Sequence, residues 1–418
     1  MKIKNLIFKL TKYESLIIVG YLLIVTFELL LVRNFSDLPT ELPNWAAKSR
    51  DLLNLDIPKD NFYGPGGAIL LIPFLWNGPT YIFATITYCA IGFFFYYKIC
   101  EQIRNPKFKF TALFLPLLNV YLFWLFISSQ DTVLEFALYL AFVYFAIKNR
   151  WLISIIIGVL LAETRSGYWA IMILGIISLY LIHKKDKKFF DKKAFLVFPS
   201  LIIISVFNYV NYDSASPALE GGLTSYFSYA KHHYLSLPKF DMDVFLSGPN
   251  GDFSDPNLAR DIAGAKSGAE VDRIYYKYAL KSIAENPKET ILGWMQKFES
   301  HFISIQKVPN LPGRYVYDSR KNSIRIENER LSWHLVLGNL IYEIYRFLLL
   351  ISGLVALGIY QVMRRNSRSR INFNNLNYLF IFWVFSLIPA LLYYSETRFK
   401  IVQEVSLIPL IISVSYTH

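Results

Sequence analysis

Charged residues are scarce in this sequence of 418 residues, since Asp, Glu, Lys and Arg make up 18% of it while apolar residues make up 54%. A water-soluble chain of this length needs more charge to cover its surface. The apolar residues lie in long blocks, many close to the roughly 20 residues that a bilayer-crossing helix needs, and the mean hydropathy is +0.34. The composition predicts a helical membrane protein that crosses the bilayer many times.

Cysteine is nearly absent, with only Cys89 and Cys100, both in or beside one apolar stretch. On a helix these positions lie roughly 16 Å apart along the axis, too far for a disulfide. The net charge of +12 could suggest a nucleic-acid partner, but Lys and Arg fall mainly in short connections between apolar blocks. Because no contiguous basic face results, we predict no nucleic-acid partner.

Several catalytic motifs are also missing. The glycine-rich run Tyr63–Gly67 is not followed by Gly-Lys-Ser/Thr, so it is no phosphate-binding P-loop, and no nucleophile elbow or nucleotide fingerprint occurs. His232 and His233, with Asp241 and Asp243 nearby, lack a recognised metal-ligand spacing. We therefore predict no metal site and treat a divalent cation as optional. Without a nucleotide site, energy or an activated sugar would have to arrive by another route, such as a lipid-linked donor.

The apolar blocks predict about ten transmembrane helices, oriented by the rule that Lys and Arg stay on the cytoplasmic side. The short block Ala68–Trp76 is too short to span and is predicted to lie along the interface. The predicted spans are Ser15–Val32, Pro79–Tyr97, Thr111–Ile127, Thr132–Ile147, Trp151–Ala162, Tyr168–Ile182, Ala194–Val210, Gly338–Met363, Leu376–Tyr394 and Ile401–Ser415. This alternation places every strongly basic connection inside.

Three modules follow from this topology. Residues 1–210 form an N-terminal transmembrane module of seven spans with a first outer loop at 33–78, and residues 338–418 form a C-terminal module of three spans. Between them, residues 211–337 are polar and predict one mainly helical extracytoplasmic domain. Within it Val271–Phe302 has apolar residues at three- and four-residue steps, interrupted where Pro287 begins a second helix. The fold class is therefore an all-α polytopic membrane protein with juxtamembrane helices.

Charged residues from distant parts of the chain share the outer boundary in this topology. They are Asp37, Glu41, Asp131, Glu163, Arg165, Glu396 and Arg398. Such a cluster suits a substrate that is part lipid and part polar, because charges at a membrane boundary still need partners. Arg165 and Arg398 would suit a lipid phosphate, since a guanidinium forks onto phosphate oxygens. Alternatively, each extends to lipid headgroups or pairs with its neighbour, Glu163 or Glu396.

The outer acids carry alternatives of their own. A carboxylate at Asp37 or Glu41 could serve as the general base for an acceptor hydroxyl, or it could be a helix cap or a solvated loop acid. Asp131 could bind substrate or cap the helix that it opens. The run that begins at Tyr63 could let the backbone approach a ligand closely, or it could simply turn the chain into the interfacial helix.

The order of these motifs resembles the GT-C glycosyltransferases, polytopic enzymes that use polyprenyl-phosphate sugars. The group includes the dolichyl-phosphate-mannose protein mannosyltransferases and the bacterial aminoarabinose transferases. Four segments carry the resemblance: Tyr63-Gly-Pro-Gly-Gly-Ala-Ile-Leu-Leu-Ile-Pro73 at the juxtamembrane entry, Ser128-Ser-Gln-Asp131 running into Leu134–Tyr139, Glu163-Thr-Arg-Ser-Gly167, and Glu396-Thr-Arg-Phe399 before the last span. They cover about the first 180 residues and the last 30. The first-loop acids depart from the family pattern, because Pro39 separates Asp37 from Glu41.

The resemblance implies an inverting sugar transfer on the outer face of the membrane. The frequent use of Lys, Asn, Ile and Phe favours a bacterial inner membrane. The substrates would be a polyprenyl-phosphate sugar and a glycan, lipid or protein acceptor, in contact with membrane lipid. The general base would be Asp37 or Glu41, and the donor-binding residues would be Arg165, Arg398, Asp131, Glu163, Glu396 and Tyr63. A polysaccharide polymerase or ligase would rely instead on outer-loop arginines such as Arg314, Arg325 and Arg330. A lipid or solute transporter would need charges within the membrane, and a purely structural protein would need an interaction surface that the sequence does not identify.

Overall fold

A computed structural model of the chain describes most of the predicted helices. The residues described are 12–33, 42–54, 64–74, 81–103, 105–119, 122–123, 125–126, 130–183, 190–219, 221–229, 256–302, 314–318, 323–327, 337, 340–341, 344–355, 358, 377–392 and 401–416. Within these ranges the molecule is helical except for one short antiparallel hairpin.

The helices are numbered here in chain order. The first eight are α1 (Lys12–Arg33), α2 (Leu42–Leu53), α3 (Gly66–Leu71), α4 (Tyr81–Cys100), α5 (Pro106–Phe114), α6 (Gln130–Ile147), α7 (Trp151–Thr164) and α8 (Tyr168–His183). The others are α9 (Val197–Tyr212), α10 (Gly221–Tyr229), α11 (Pro256–Ala263), α12 (Gly268–Glu285), α13 (Pro287–Phe302), α14 (Ile344–Val355), α15 (Asn377–Leu392) and α16 (Ile401–Tyr416). The hairpin strands are β1 (Arg314–Asp318) and β2 (Ser323–Glu327).

Most predicted spans coincide with one helix, but few of these helices are long. Of the described residues, two stretches are long and apolar enough to cross a membrane, Phe83–Cys100 and Lys192–Tyr212, the second comprising a 3₁₀ turn and α9. At seven of the other predicted spans the described apolar stretch has 10–17 residues. Length and composition therefore support membrane association through two helices.

The third predicted span, Thr111–Ile127, is not one continuous helix. Asn105 caps α5 by accepting a hydrogen bond from the backbone N–H of Lys107 at 2.9 Å, and α5 ends at Phe114. The chain then tightens into a 3₁₀ turn over Leu115–Leu118. Pro116 accounts for the break, because proline has no N–H to donate and its ring clashes with the preceding turn of an α-helix.

Glycines allow the central helices to approach closely. A Cβ on Gly92 of α4 would lie 2.3 Å from the Phe136 ring of α6, and one on Gly175 of α8 would lie 2.5 Å from the Phe382 ring of α15. Phe142 of α6 also contacts Phe382, with their ring centroids 4.8 Å apart. Pairing a glycine with an aromatic ring buries large side chains between helices, as in helix packing within membranes. The bundle is therefore centred on α4, α6, α7, α8 and α15.

Contacts between helix termini define one end of the bundle. Glu14 at the start of α1 pairs with Lys109 of α5 at 2.5 Å, and Lys109 also donates to Tyr97 near the end of α4. Trp151 at the start of α7 contacts Tyr378 at the start of α15, with ring centroids 6.0 Å apart. We call this the basic end, because its connections carry Lys98, Lys107, Lys109, Lys148, Arg150, Lys192 and Lys193.

Some helices expose their apolar side chains on the outside of the bundle. Only 17% of Lys192–Tyr212 is buried, and Ile203 and Val210 of α9 are 66% and 68% exposed. On α1, Leu16 and Leu23 are similarly exposed. Monomeric soluble proteins rarely show apolar patches of this extent. The exposed faces therefore favour a lipid environment for the bundle.

The segment from α10 to α13 forms a separate packing unit. One carboxylate oxygen of Asp272 in α12 accepts hydrogen bonds from the backbone N–H groups of Gly222 at 2.7 Å and Leu223 at 3.3 Å, in the first turn of α10. A Cβ on Gly222 would lie 2.0 Å from the Asp272 carbonyl oxygen. The side chain of Asp272 in α12 thus caps the N-terminus of α10. As predicted, Pro287 begins a second helix directly after α12.

The hairpin is an element that the sequence did not predict. Its backbone register pairs Arg314 with Glu327 and Val316 with Arg325. Two strands of five residues form a small part of a region that was predicted to be mainly helical.

Candidate functional site

The predicted site residues are described to different extents. Asp37, Glu41, Tyr63, Glu396 and Arg398 lie outside the described residues. For Asp131 the structure gives the backbone alone, which lies in the first turn of α6. Glu163 and Arg165 are described with their side chains, at the end of α7. The geometry of the candidate site is therefore built from α7 outward.

Glu163 is a buried carboxylate in an apolar setting, with 5% of its surface exposed. One of its oxygens accepts a hydrogen bond from the indole N–H of Trp169 at 3.3 Å. The other has no hydrogen-bond partner in the described part of the chain. A buried polar atom left unsatisfied costs free energy, so natural proteins keep it rarely and often at functional sites.

The glycine-rich run of the first outer loop packs directly on Glu163. A Cβ on Gly64 would lie 2.2 Å from the Glu163 carbonyl oxygen, and one on Gly66 would lie 2.5 Å from the carbonyl oxygen of Leu160. Ser49 of α2 donates to the carbonyl of Ala68 in α3 at 2.8 Å, so α2 is held to the same place. The glycines thus bring the first outer loop against the end of α7, next to an unsatisfied carboxylate oxygen.

Arg165 contacts two residues of α6 that were not among its predicted partners. Its Nη1 pairs with Oε2 of Glu135 at 2.8 Å, and its Nη2 donates to the hydroxyl of Thr132 at 3.2 Å. Glu163 forms no ion pair with Arg165 in the described structure, although the two are close in sequence. The reason is local geometry: Arg165 ends α7 in an extended conformation, which directs the chain away from the preceding turn. The ion pair is buried, with the two side chains 9% and 1% exposed.

Two further helices contribute to this cluster. The hydroxyl of Tyr168, at the start of α8, donates to Oε1 of Glu135 and accepts a hydrogen bond from Nε2 of Gln403. Gln403, near the start of α16, also donates to Oε1 of Glu135 at 2.9 Å. We call Thr132, Glu135, Arg165, Tyr168 and Gln403 the Glu135 network. It joins α6, α7, α8 and α16 at the end of the bundle opposite the basic end.

The sequence carries signals that mark some residues of the Glu135 network. Glu135 follows Asp131 by four positions, which places both on one face of α6. Gln403 and Glu404 interrupt an otherwise apolar stretch from Ile401 to Pro409. Polar residues inside apolar segments are rare and commonly mark function. Tyr168 carried no such signal, because a tyrosine at the start of an apolar block is ordinary.

A second buried ion pair lies beside the Glu135 network. Arg346 of α14 pairs with Glu404 of α16 through Nε and Oε1 at 2.9 Å, with both side chains almost fully buried. Glu404 is in the first turn of α16, and Glu135 is in the second turn of α6. The prediction that ionisable residues away from the basic end gather at the outer boundary stays a prediction. Buried partners explain their position, since paired charges can be accommodated in an interior where single ones cannot.

Other helix ends complete this end of the bundle. A Cβ on Gly167, between α7 and α8, would lie 3.1 Å from Pro389 near the end of α15. Arg398 and Glu396 fall between Leu392, which ends α15, and Ile401, which begins α16. In the described ranges no group of three or more His, Cys, Asp or Glu side chains comes together as a metal site. The candidate metal residues near His232 lie outside those ranges.

Positive and negative charges meet at the Glu135 network. Three helices, α6, α8 and α16, have their N-terminal turns there, and helix N-termini carry partial positive charge. Arg165 adds a full positive charge, which is paired with the Glu135 carboxylate. No protein-family model, curated protein or solved structure matches the chain. The functional argument therefore rests on the geometry and on the motif order.

Proposed function

We propose that this protein is a multi-pass membrane glycosyltransferase of about ten spans. It would transfer one sugar from a polyprenyl phosphate to an acceptor hydroxyl at the end of the bundle that carries the Glu135 network. The membrane part of the proposal is supported by the exposed apolar faces of α1 and α9 and by the separation of charge between the two ends. Lysine and arginine remain on the cytoplasmic side, so the network would face the exterior.

The observation that carries the proposal is the convergence at one end of an apolar bundle. Three helix N-termini and Arg165 meet there, beside the glycine-rich run that packs on Glu163. A lipid phosphate could accept hydrogen bonds from the helix N-termini at this end, and its hydrocarbon chain could stay beside the apolar helices. A nucleotide-sugar donor lacks such a chain, and the sequence has no nucleotide-binding motif.

The proposed reaction has one bond formed and one broken. Asp37 or Glu41 would remove the proton from the acceptor hydroxyl, whose oxygen would bond to the anomeric carbon from the face opposite the phosphate. The bond from that carbon to the phosphate oxygen would break, and its electron pair would leave with the polyprenyl phosphate. Arg165 and Arg398 would stabilise the departing phosphate in a low-dielectric site. Asp131, Glu163, Glu396 and Tyr63 would hold the donor, and a metal is optional.

Transfer from labelled donors tests this proposal directly. Purified protein in nanodiscs would be incubated with radiolabelled polyprenyl-phosphate sugars and a mixed pool of glycan, lipid and protein acceptors. We expect transfer by the wild type and a loss of 100-fold or more in either Asp37→Ala or Glu41→Ala, in the range of general-base effects. Glu101→Ala, at the basic end, serves as the matched control and should retain activity. Transfer that persists in both first-loop variants would disprove the assigned base.

A transporter is the rival class of function, because Arg346 and Glu404 form a buried ion pair inside the bundle. A transport path requires polar groups that continue across the membrane. In α6 and α16, however, the described residues beyond Glu135 and Glu404 carry no further charge toward the basic end. A polymerase or ligase would instead use Arg314, Arg325 and Arg330. In that case, alanine variants of these arginines would lose activity although the first-loop acids are intact.

A further inference from the structure

Helix α13 is apolar on surfaces that no other described element covers. Ile291, Leu292, Trp294, Met295 and Phe298 are all large, and all are between 41% and 63% exposed. No charged residue occurs from Thr290 to Gln296. In a soluble domain an amphipathic helix turns its apolar residues toward the core and its charged residues toward water. In α13 these apolar residues are exposed, and Lys297 is buried.

The orientation of α13 is fixed by its narrow buried side. Among the α13 residues whose side chains the structure describes, Thr290 and Lys297 are buried, and they lie two turns apart on one face. The Lys297 ammonium lies 4.7 Å from the centroid of the Tyr229 ring in α10, and Trp294 donates its indole N–H to the Tyr229 hydroxyl at 3.1 Å. These contacts attach α13 to α10 through its polar side, so its apolar side is directed outward.

The apolar side of α13 continues onto the bundle. Trp294, Met295 and Phe298 line an open cavity of about 470 Å³ together with Leu392, the last residue of α15. That volume lies in the range of pockets that hold small molecules, roughly 300–1,000 Å³. Leu392 ends α15 at the same end of the bundle as the Glu135 network, because Pro389 packs on Gly167. The cavity therefore lies where the outer boundary of the membrane falls in the proposed topology.

We propose that α13 lies in the outer leaflet with its apolar face among lipid hydrocarbon chains, and that one such chain occupies the cavity between α13 and Leu392. The proposal rests on the membrane topology in the proposed function, but not on sugar transfer. Its occupant is the hydrocarbon chain of a bilayer lipid, since the cavity lining is apolar and the neighbouring surface of the bundle faces lipid. Tryptophan at such a boundary is common, because its ring is apolar and its N–H polar.

Fluorescence quenching in vesicles tests where α13 lies. A fluorophore sensitive to quenching is attached to Met295→Cys in the full-length protein, reconstituted into phosphatidylcholine vesicles that contain doxyl-labelled lipid. Cys89 and Cys100 are buried, and labelled wild type gives the background. Ile203→Cys on α9 is the control for lipid exposure, and Lys277→Cys on α12, where the side chain is 73% exposed, is the control for water.

We expect doxyl lipid to quench the Met295 label several-fold more than the Lys277 label, with aqueous iodide showing the opposite order. A doxyl group high on the chain should quench more than one near its methyl end, because α13 lies at the boundary. If Ile203 is quenched by lipid and Met295 behaves like Lys277, the inference about α13 fails and the membrane topology stands. If Ile203 also behaves like Lys277, both fail. A Met295 label shielded from both quenchers would show that protein covers this face and would overturn the inference.

Discussion

At the scale of single residues, Glu135 determines how this end of the bundle holds together. Its two carboxylate oxygens receive an ion pair from Arg165 and hydrogen bonds from Tyr168 and Gln403, so one side chain joins four helices. The sequence analysis left the partner of Arg165 open, and Glu135 was not among the candidates. Glu135 lies 30 positions before Arg165 in the chain, and the two meet because α6 packs against α7. The spacing of residues within either helix does not predict that packing.

Removing Glu135 should destabilise the protein strongly. In Glu135→Ala the Arg165 guanidinium stays buried without its counter-ion, a change that costs about 3–5 kcal/mol. Thermal unfolding of the detergent-purified variant would show this as a lower Tm. Glu101→Ala is the matched control, because Glu101 pairs with Lys98 at 2.9 Å on the surface and such pairs contribute about 0–1 kcal/mol. Equal shifts in the two variants would contradict the importance given to burial.

The carboxyl of Asp272 makes the stability of the unit from α10 to α13 depend on pH. Burial raises the pKa of Asp272 to about 6, although the hydrogen bonds from Gly222 and Leu223 act in the opposite direction. The folded state therefore binds a proton more tightly than the unfolded state, whose pKa is near 3.8. By linkage, this group's contribution to stability is greatest below pH 4, declines as the pH rises through about 6, and is constant above that.

Asp272→Asn should remove this dependence. An amide oxygen can accept the same two hydrogen bonds without carrying a charge. We expect the difference in Tm between variant and wild type to change between pH 4 and pH 6 and to be flat from pH 7 to pH 8. Asp261→Asn is the control, since Asp261 lies on neighbouring α11 and is partly exposed. A difference that is independent of pH across the whole range would show that Asp272 does not titrate in this window.

At the scale of elements, the sequence predicted most helices within a few residues, because apolar runs between basic connections are long and unambiguous. It missed the break after Phe114, where Pro116 outweighs the apolar pattern. It also missed the hairpin, since β1 and β2 are two five-residue strands in a polar region whose clearest signal is helical. Close helix contacts at Gly64, Gly66 and Gly92 depend on neighbours from distant parts of the chain.

Two glycine substitutions should have opposite effects. Gly66→Ala places a Cβ 2.5 Å from a backbone carbonyl oxygen of α7, which cannot move aside easily, so α3 should separate from α7 and the Tm should fall. Gly293→Ala, in α13, meets nothing within 4 Å and should stabilise by about 0.5–1 kcal/mol through helix propensity. Thermal unfolding measures both. A neutral Gly66→Ala variant would show that the first outer loop does not depend on this contact.

At the scale of the whole molecule, the two ends of the bundle differ in charge and should lie on opposite sides of a membrane. The orientation predicts that Lys148→Cys, at the basic end, reacts with a membrane-impermeant maleimide only after sealed right-side-out vesicles are permeabilised. Lys277→Cys, on α12, should react without permeabilisation, because the side chain at this position is exposed. The extent of labelling on a gel measures both. Equal labelling of the two positions in sealed vesicles would reject the proposed orientation.

The low burial of α9 has a consequence for how the chain assembles. Helices such as α6 are surrounded by protein, so their final position depends on partners that are synthesised later. The segment Lys192–Tyr212 is buried over only 17% of its length. In the proposed topology, the surrounding lipid, not contact with other helices, would therefore provide most of the free energy that holds it. This segment can enter the bilayer as an independent unit during synthesis and await the C-terminal helices, which close the bundle around α6 and α8 last.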